Sequence, residues 1–222
     1  MSVSAQDKVV SEISIEGVKR IKESFVRKIS RVKKGETLDS VLINQDIARL
    51  KRLPSVSHAY FQIVPEVEGY RVKYVIEENF TLIPFANVYT STNDEFAFRI
   101  GLQEFNFLGR NITLGGFYQY DNFSSYGVTV RAPQLFTKKL GLAFTYQDLT
   151  TQEPVFFETA TADYKYNNRG FELLGLYEIN SKNNIELGGS LFTEDYQYLF
   201  GATSPEVPQA LKVDKHLFKL IY

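Results

Sequence analysis

Two histidines, His58 and His216, are the first residues to test for chemistry, because imidazole titrates near neutrality and ligates metals. They lie far apart in the chain, and neither has a second histidine at the spacing that aims two imidazoles at one ion. Each therefore reads as a surface or strand-packing residue. The absence of cysteine excludes disulfides, thiolate zinc sites and a thiol nucleophile. No phosphate-cradling glycine loop occurs, and Gly115-Gly116 and Gly188-Gly189 read as inward strand glycines that let side chains or a client come close. Asn79-Phe80-Thr81, Asn111-Ile112-Thr113 and Asn122-Phe123-Ser124 match glycosylation acceptors but read as turns and strand starts. The spacing predicts no catalytic residue, no metal and no cofactor.

What remains is the chemistry of the backbone. The run 56–64, with Val56, His58, Ala59, Tyr60, Phe61, Gln62, Ile63 and Val64, reads as a strand in a topology that can leave it at a sheet edge. Two readings of that edge stand: one binds extended clients by strand addition, the other is merely protected by its charges and by Pro65. The basic group Arg27, Lys28, Arg31, Lys33 and Lys34 reads as a solvated helix face, with contact to anionic lipid headgroups as the second reading.

The elements that would position these residues fall into two halves. Over residues 9–78 the chain mixes periods: a strand through Val9, Ile13 and Ile15 ends at Gly17, and 22–31 reads as a helix with Phe25, Val26 and Ile29 on one face. Lys33-Lys34-Gly35 offers a basic last turn and a glycine stop. Capping residues at 37–40 precede a second helix carrying Leu42, Ile43, Ile47, Leu50 and Leu53 up to Pro54. Strands at 56–64 and 70–76 flank the turn Pro65-Glu66-Val67-Glu68-Gly69. The expected order is β-α-α-β-β, enough for one small core. Residues 1–8 read as a disordered mature N-terminus, with Val3-Ser4-Ala5 resembling the end of a removed signal peptide.

From residue 79 to 222 the period becomes two. Phe96, Phe98, Ile100 and Leu102 alternate with Ala97, Arg99, Gly101 and Gln103, and the same phase returns around Leu114 to Tyr120, Tyr126 to Val130 and Leu140 to Tyr146. Further strands are expected at 157–167, 171–179, 185–193 and 215–222, with turns at Asn167-Asn168-Arg169-Gly170 and Asn180 to Asn184. With 82–89 included, nine strands are expected. A soluble sandwich would also alternate, but here Arg99, Gln103, Asn111, Gln119 and Arg131 occupy the face where its dry core would lie. The one-sided apolar face suits lipid and the small or polar face suits a wet lumen. No uncharged run is long enough for a spanning helix. The Tyr-rich aromatic share, 14 Tyr and 18 Phe without Trp, fits sheets that face a membrane. With 25 Lys plus Arg against 26 Asp plus Glu, no global field draws in nucleic acid, and none is expected as a partner.

Both halves carry a family resemblance. Ile13-Ser14-Ile15-Glu16-Gly17, Lys19 and Ile21, Gly35-Glu36-Thr37-Leu38, Asp46, Arg49-Leu50 and Leu53-Pro54-Ser55-Val56 resemble a polypeptide-transport-associated (POTRA) domain. Phe105-Asn106-Phe107-Leu108-Gly109-Arg110-Asn111 and Ala132-Pro133-Gln134-Leu135-Phe136 resemble the first barrel hairpins of the outer-membrane assembly and two-partner secretion superfamily. The resemblance implies a bacterial outer-membrane protein with a periplasmic α+β docking domain followed by an antiparallel transmembrane barrel. The family barrel has sixteen strands, so about half of it is expected here, and an odd strand count with open edges also points to an incomplete barrel. The family's inward loop motif is not carried over, since Asn168-Arg169-Gly170-Phe171 is expected in an early turn.

The implied function is non-enzymatic: polypeptide translocation or barrel assembly, with unfolded outer-membrane or secreted polypeptides, periplasmic or lipoprotein partners and outer-membrane lipid as partners. The alternative is a structural or small-solute barrel with a periplasmic anchoring domain. A membrane anchor of a split enzyme is a third reading, which residues before Val9 leave no room for.

Overall fold

The computed structural model describes residues 9–90, 96–158, 160–180 and 182–222. The expectations for residues 1–8 lie outside the described residues. The chain divides into two compact units, residues 1–81 with the turns 105–112 and 136–138, and residues 82–104, 113–135 and 139–222.

The first unit runs β1 (Val10–Glu16), α1 (Glu23–Ile29), α2 (Ser40–Leu50), β2 (Val56–Glu66) and β3 (Gly69–Glu78). Its sheet has the order β1-β3-β2, with β1 parallel and β2 antiparallel to the central β3. Helical spacing puts Phe25, Val26 and Ile29 of α1 and Ile43, Ile47 and Leu50 of α2 against Ile15, Ala59, Val72, Tyr74 and Ile76 of the sheet. The Asp39 carboxylate caps α2 by accepting from the Val41 and Leu42 amides at 2.7 and 3.3 Å. Helix α1 is shorter than expected and ends at Ile29, so Gly35, with φ of 86°, turns a connecting loop and does not stop the helix.

Two carboxylates hold this unit's connections. Asp46, buried in α2, accepts from the Arg31 amide at 2.9 Å, the Val32 amide at 3.2 Å and the Tyr74 hydroxyl at 2.9 Å. Glu78, at the end of β3, accepts from the amides of Lys19, Arg20 and Ile21 at 2.8 to 3.0 Å. Each satisfies donors that a short turn cannot pair internally. The unit also takes in the turn at Leu108-Gly109-Arg110-Asn111, where the Lys22 amide donates to the Gly109 carbonyl at 3.0 Å.

The second unit is one antiparallel sheet in sequence order: β4 (Leu82–Thr90), β5 (Phe96–Phe107), β6 (Ile112–Asp121), β7 (Phe123–Ala132), β8 (Leu140–Phe156), β9 (Thr161–Glu178), β10 (Asn184–Gly201) and β11 (Ala210–Ile221). It has eight strands, where the alternation pattern led to nine. The expected strands at 157–167 and 171–179 are parts of β9, and Asn167-Asn168-Arg169-Gly170 lies in mid-strand, opposite Thr150, Leu149, Asp148 and Gln147 of β8. The turn chemistry of that tetrapeptide is overridden by cross-strand partners. Arg169 Nε and Asn167 Nδ2 both donate to the Asp148 carboxylate, at 2.8 and 2.6 Å. With eight strands the odd-number argument for an incomplete barrel lapses. β4 and β11 are the outer strands of the sheet and are not paired with each other among the described residues.

Candidate functional site

Edge strand β2 is the first candidate. Its residues divide by face: Val56, Ala59, Phe61 and Ile63 pack into or against the helix-side core, while His58, Tyr60, Gln62 and Val64 are exposed. A register shift between Val56 and His58 marks a bulge at the start of the strand. The His58 and Tyr60 rings lie 5.9 Å apart. The eight residues singled out in the sequence thus lie on one strand, four of them exposed on one face.

The two edges of this sheet are not equivalent. Along β1, the Val10 amide donates to the Glu36 carbonyl at 2.9 Å, the Val10 carbonyl accepts from the Gly35 amide at 2.8 Å, and Arg27 Nη1 donates to the Ile13 carbonyl at 3.0 Å. β2 pairs with β3 and with no other described strand. Its outer row of amides and carbonyls is therefore the open one, the arrangement that accepts an added strand.

The exposed face of β1 and β3 is laced with ion pairs, Arg71 with Glu12 and Glu66, and Lys73 with Glu16. Beneath, burial and the adjacent Asp46 carboxylate, which also accepts its hydrogen bond, push the Tyr74 phenol well above its ordinary pKa.

The concave face of the eight-stranded sheet is the second candidate. Arg131 on β7 pairs with Glu186 on β10, passing over β8 and β9. Strands lie about 4.8 Å apart, so the two backbones would stand roughly 14 Å apart on a flat sheet. The bridge is made because the sheet curves toward this face, and Ala143, Leu174 and Leu176 are buried as a small cluster on the strands it crosses. Further along, Lys219 pairs with Glu172, which also accepts from the Ser190 hydroxyl at 2.9 Å, and Lys215 pairs with Glu194 at 2.7 Å. The Arg99 guanidinium lies 3.8 Å from the Phe117 ring centre. The face is ionic, unlike a sandwich core.

Its glycines seat aromatic side chains. Phe85 lies over Gly101 and Phe117 over Gly127, each pair directly opposed across neighbouring strands, and Gly170 lets the Leu191–Phe192 backbone of β10 come close. Of the glycine pairs expected to face inward, only Gly115 and Gly188 do so. Gly116 and Gly189 share the outward face with Val128 and Leu173, because neighbours in a strand point to opposite sides.

On that outward face, cross-strand partners form rows. Val130, Phe144, Leu173, Gly189 and Phe218 make one, and Val128, Tyr146, Phe171, Leu191 and His216 the next. Aromatic contacts link Phe98 with Tyr118 and Tyr120, Tyr126 with Tyr146, and Phe144 with Phe171, at 6.1 to 6.5 Å between centroids. The outward face is thus tiled with aromatic rings. The sequence reading found the alternation but not the Arg131–Glu186 bridge, which joins residues 55 apart and has no local signature.

Residues 8–79 match the POTRA family model, described as a surface antigen variable number repeat. No curated protein matches by sequence. Among solved structures, BamA from Haemophilus ducreyi lacking POTRA domains 1–3 is 20% identical with a TM-score of 0.63, over 96% of this chain and 43% of that one. CdiB from Escherichia coli is 13% identical with a TM-score of 0.60, over 97% of this chain and 42% of that one. CdiB from Acinetobacter baumannii is 16% identical with a TM-score of 0.50, over 87% and 39%. The chain spans about two fifths of the length of these structures. A POTRA domain whose β2 lies at a sheet edge, followed by an antiparallel sheet with an apolar outward face and an ionic concave face, is thus the fold that this chain shares with these outer-membrane structures.

Proposed function

We propose that this chain is the docking and membrane-spanning part of an outer-membrane polypeptide translocase or barrel-assembly factor, with the POTRA domain in the periplasm and residues 79–222 supplying about half of a barrel. The observation that carries the reading is the open β2 edge, set in a chain with this fold. A machine that handles many unfolded sequences needs a recognition element that all of them share, and main-chain hydrogen bonding is that element. Extended outer-membrane or secreted polypeptides add to β2 as a further strand, with His58, Tyr60, Gln62 and Val64 presenting an exposed side-chain row beside them. Sequence specificity is accordingly low. Periplasmic or lipoprotein partners compete for the same edge or bind the helices, and lipid covers the outward face of β4 to β11. No step of this activity calls for a catalytic group or a cofactor.

The test is photo-crosslinking from Gln62 to an unfolded barrel-strand peptide. Capture is expected from the parent chain and is expected to fall when Ala59 or Phe61 is replaced by proline, which removes a backbone donor and disturbs the edge. Circular dichroism checks that each variant remains folded. Equal labelling of folded proline variants and parent, or labelling confined to a probe on α1, would show that β2 is not the docking edge.

A further inference from the structure

We infer that Arg99, on the concave face of the eight-stranded sheet, is a binding site for the carboxylate of an acidic side chain carried by an extended polypeptide. The inference rests on the polypeptide-handling reading above and adds a chemical preference to it. On this face Arg131, Lys215 and Lys219 are each paired, with Glu186, Glu194 and Glu172. Arg99 lies on β5 opposite Asn87 of β4 and shares that face. It has no ion pair and no hydrogen bond with a described residue, and its Nε is buried without an acceptor. A buried donor left in that condition is costly, so it marks a place where a partner from elsewhere belongs.

The guanidinium is mounted on a pedestal. Phe117 of β6 stands directly across from Gly127 of β7, and a side chain at residue 127 would meet the Phe117 ring at 2.6 Å. The missing Cβ is what lets the ring lie against the sheet. Arg99 rests on that ring in turn, its Cζ 3.8 Å from the ring centre. Glycine backbone, ring and guanidinium thus form three layers. A planar cation fixed in this way gives up little freedom when an anion arrives, which is the condition for selective pairing.

The surroundings select the ligand. Arg99, Gln103, Thr129, Thr145 and Gln147 line one depression of about 240 Å³, and no Asp or Glu is among its lining residues. Asp121 lies near enough to act, with Arg99, on the Tyr89 hydroxyl, but it does not line the depression and makes no ion pair with Arg99. The Thr129 and Thr145 hydroxyls bond each other at 3.2 Å, and Gln147 Nε2 donates to Asn168 Oδ1 at 3.3 Å. Arg99 and the Gln103 amide are the donors left for an incoming anion. A guanidinium meets a carboxylate with two parallel hydrogen bonds and balances its single charge. A phosphate dianion would bring a second charge for which the depression holds no cation. A space of this size takes the end of one side chain, so the carboxylate arrives on an extended segment.

The full chain, folded in detergent, carries a photo-crosslinker in place of Thr129 or, in a second preparation, in place of Gln62. Each is offered a short extended peptide rich in Gly and Ser with one central Glu, or the same peptide with Gln or phosphoserine there. At residue 129 the Glu peptide is expected to be captured about fivefold more than the Gln peptide, the scale of a part-exposed ion pair. That preference should vanish in Arg99→Gln and stay unchanged in Lys182→Gln, which removes a charge from an exposed turn. Heat-dependent gel mobility checks folding, and Arg99→Met serves if the Gln variant does not fold. Equal capture of the Glu and Gln peptides at residue 129, or an unchanged Glu preference in a folded Arg99 variant, overturns the site. Stronger capture of the phosphoserine peptide overturns the carboxylate assignment. Where capture at residue 62 persists in these cases the docking reading stands, whereas absence of capture at both residues overturns both.

Discussion

Asp46 shows how much of a small domain can hang on one side chain. Its carboxylate is the acceptor for two loop amides and for the Tyr74 hydroxyl, all close to or inside the core. An orphaned buried donor costs about 1–3 kcal/mol, so Asp46→Ala is expected to remove about 3 kcal/mol or more from the stability of residues 9–78, read by urea denaturation. Tyr74 adds a pH signature. The folded phenol titrates above its unfolded value of about 10, so the fold favours the neutral form. Its contribution is whole below pH 10 and is lost as the pH rises beyond it, because unfolding then releases a proton. Alkaline destabilisation above pH 10 should shrink in Tyr74→Phe; an unchanged alkaline profile would show that another group is responsible. Asp46 is visible in the sequence as part of the POTRA pattern, but its role is not. The partners at Arg31, Val32 and Tyr74 converge only after α1, α2 and β3 have packed.

Elements were legible to the extent that their cause is local. α2 could be read from its Asp39 cap and the spacing of Ile43, Ile47 and Leu50, because both signals sit within a few residues of one another. β9 could not. Asn167-Asn168-Arg169-Gly170 has every local mark of a turn, yet Asp148 and Thr150 on β8 take up its polar groups and Gly170 lies close against the Leu191–Phe192 backbone of β10. The partners that keep the strand straight are 17 to 22 residues away, outside any local window. By the same reasoning the POTRA unit is expected to be autonomous, since its caps, its core and its turn-holding carboxylates Asp46 and Glu78 all lie within residues 9–78. Produced alone in detergent-free buffer, those residues should unfold in one cooperative transition. Non-coincident transitions by far-ultraviolet and near-ultraviolet circular dichroism would count against it.

At the scale of the whole molecule, alternation predicts which residues share the apolar outward face but not how strongly the sheet curves. Curvature is written in long-range pairs such as Arg131 with Glu186, which link β7 to β10 above Ala143, Leu174 and Leu176. Such a strap holds four strands to one arc and so helps decide whether the ionic face encloses a lumen. Its energy is modest, because the Arg131 side chain is 43% exposed and solvent screens the pair; about 1 kcal/mol is a fair magnitude. Arg131→Glu sets two carboxylates against each other, and Glu186→Arg sets two guanidinium groups against each other, over the same apolar residues. Each single reversal should lower the temperature at which the folded gel band is lost by about 2–4 °C. The double reversal should recover most of that loss, since the pair is restored with its ends exchanged. If the two single effects simply add in the double variant, the bridge is not coupled and the curvature must come from elsewhere, with Phe85 and Phe117 seated on their opposing glycines as the next contacts to test.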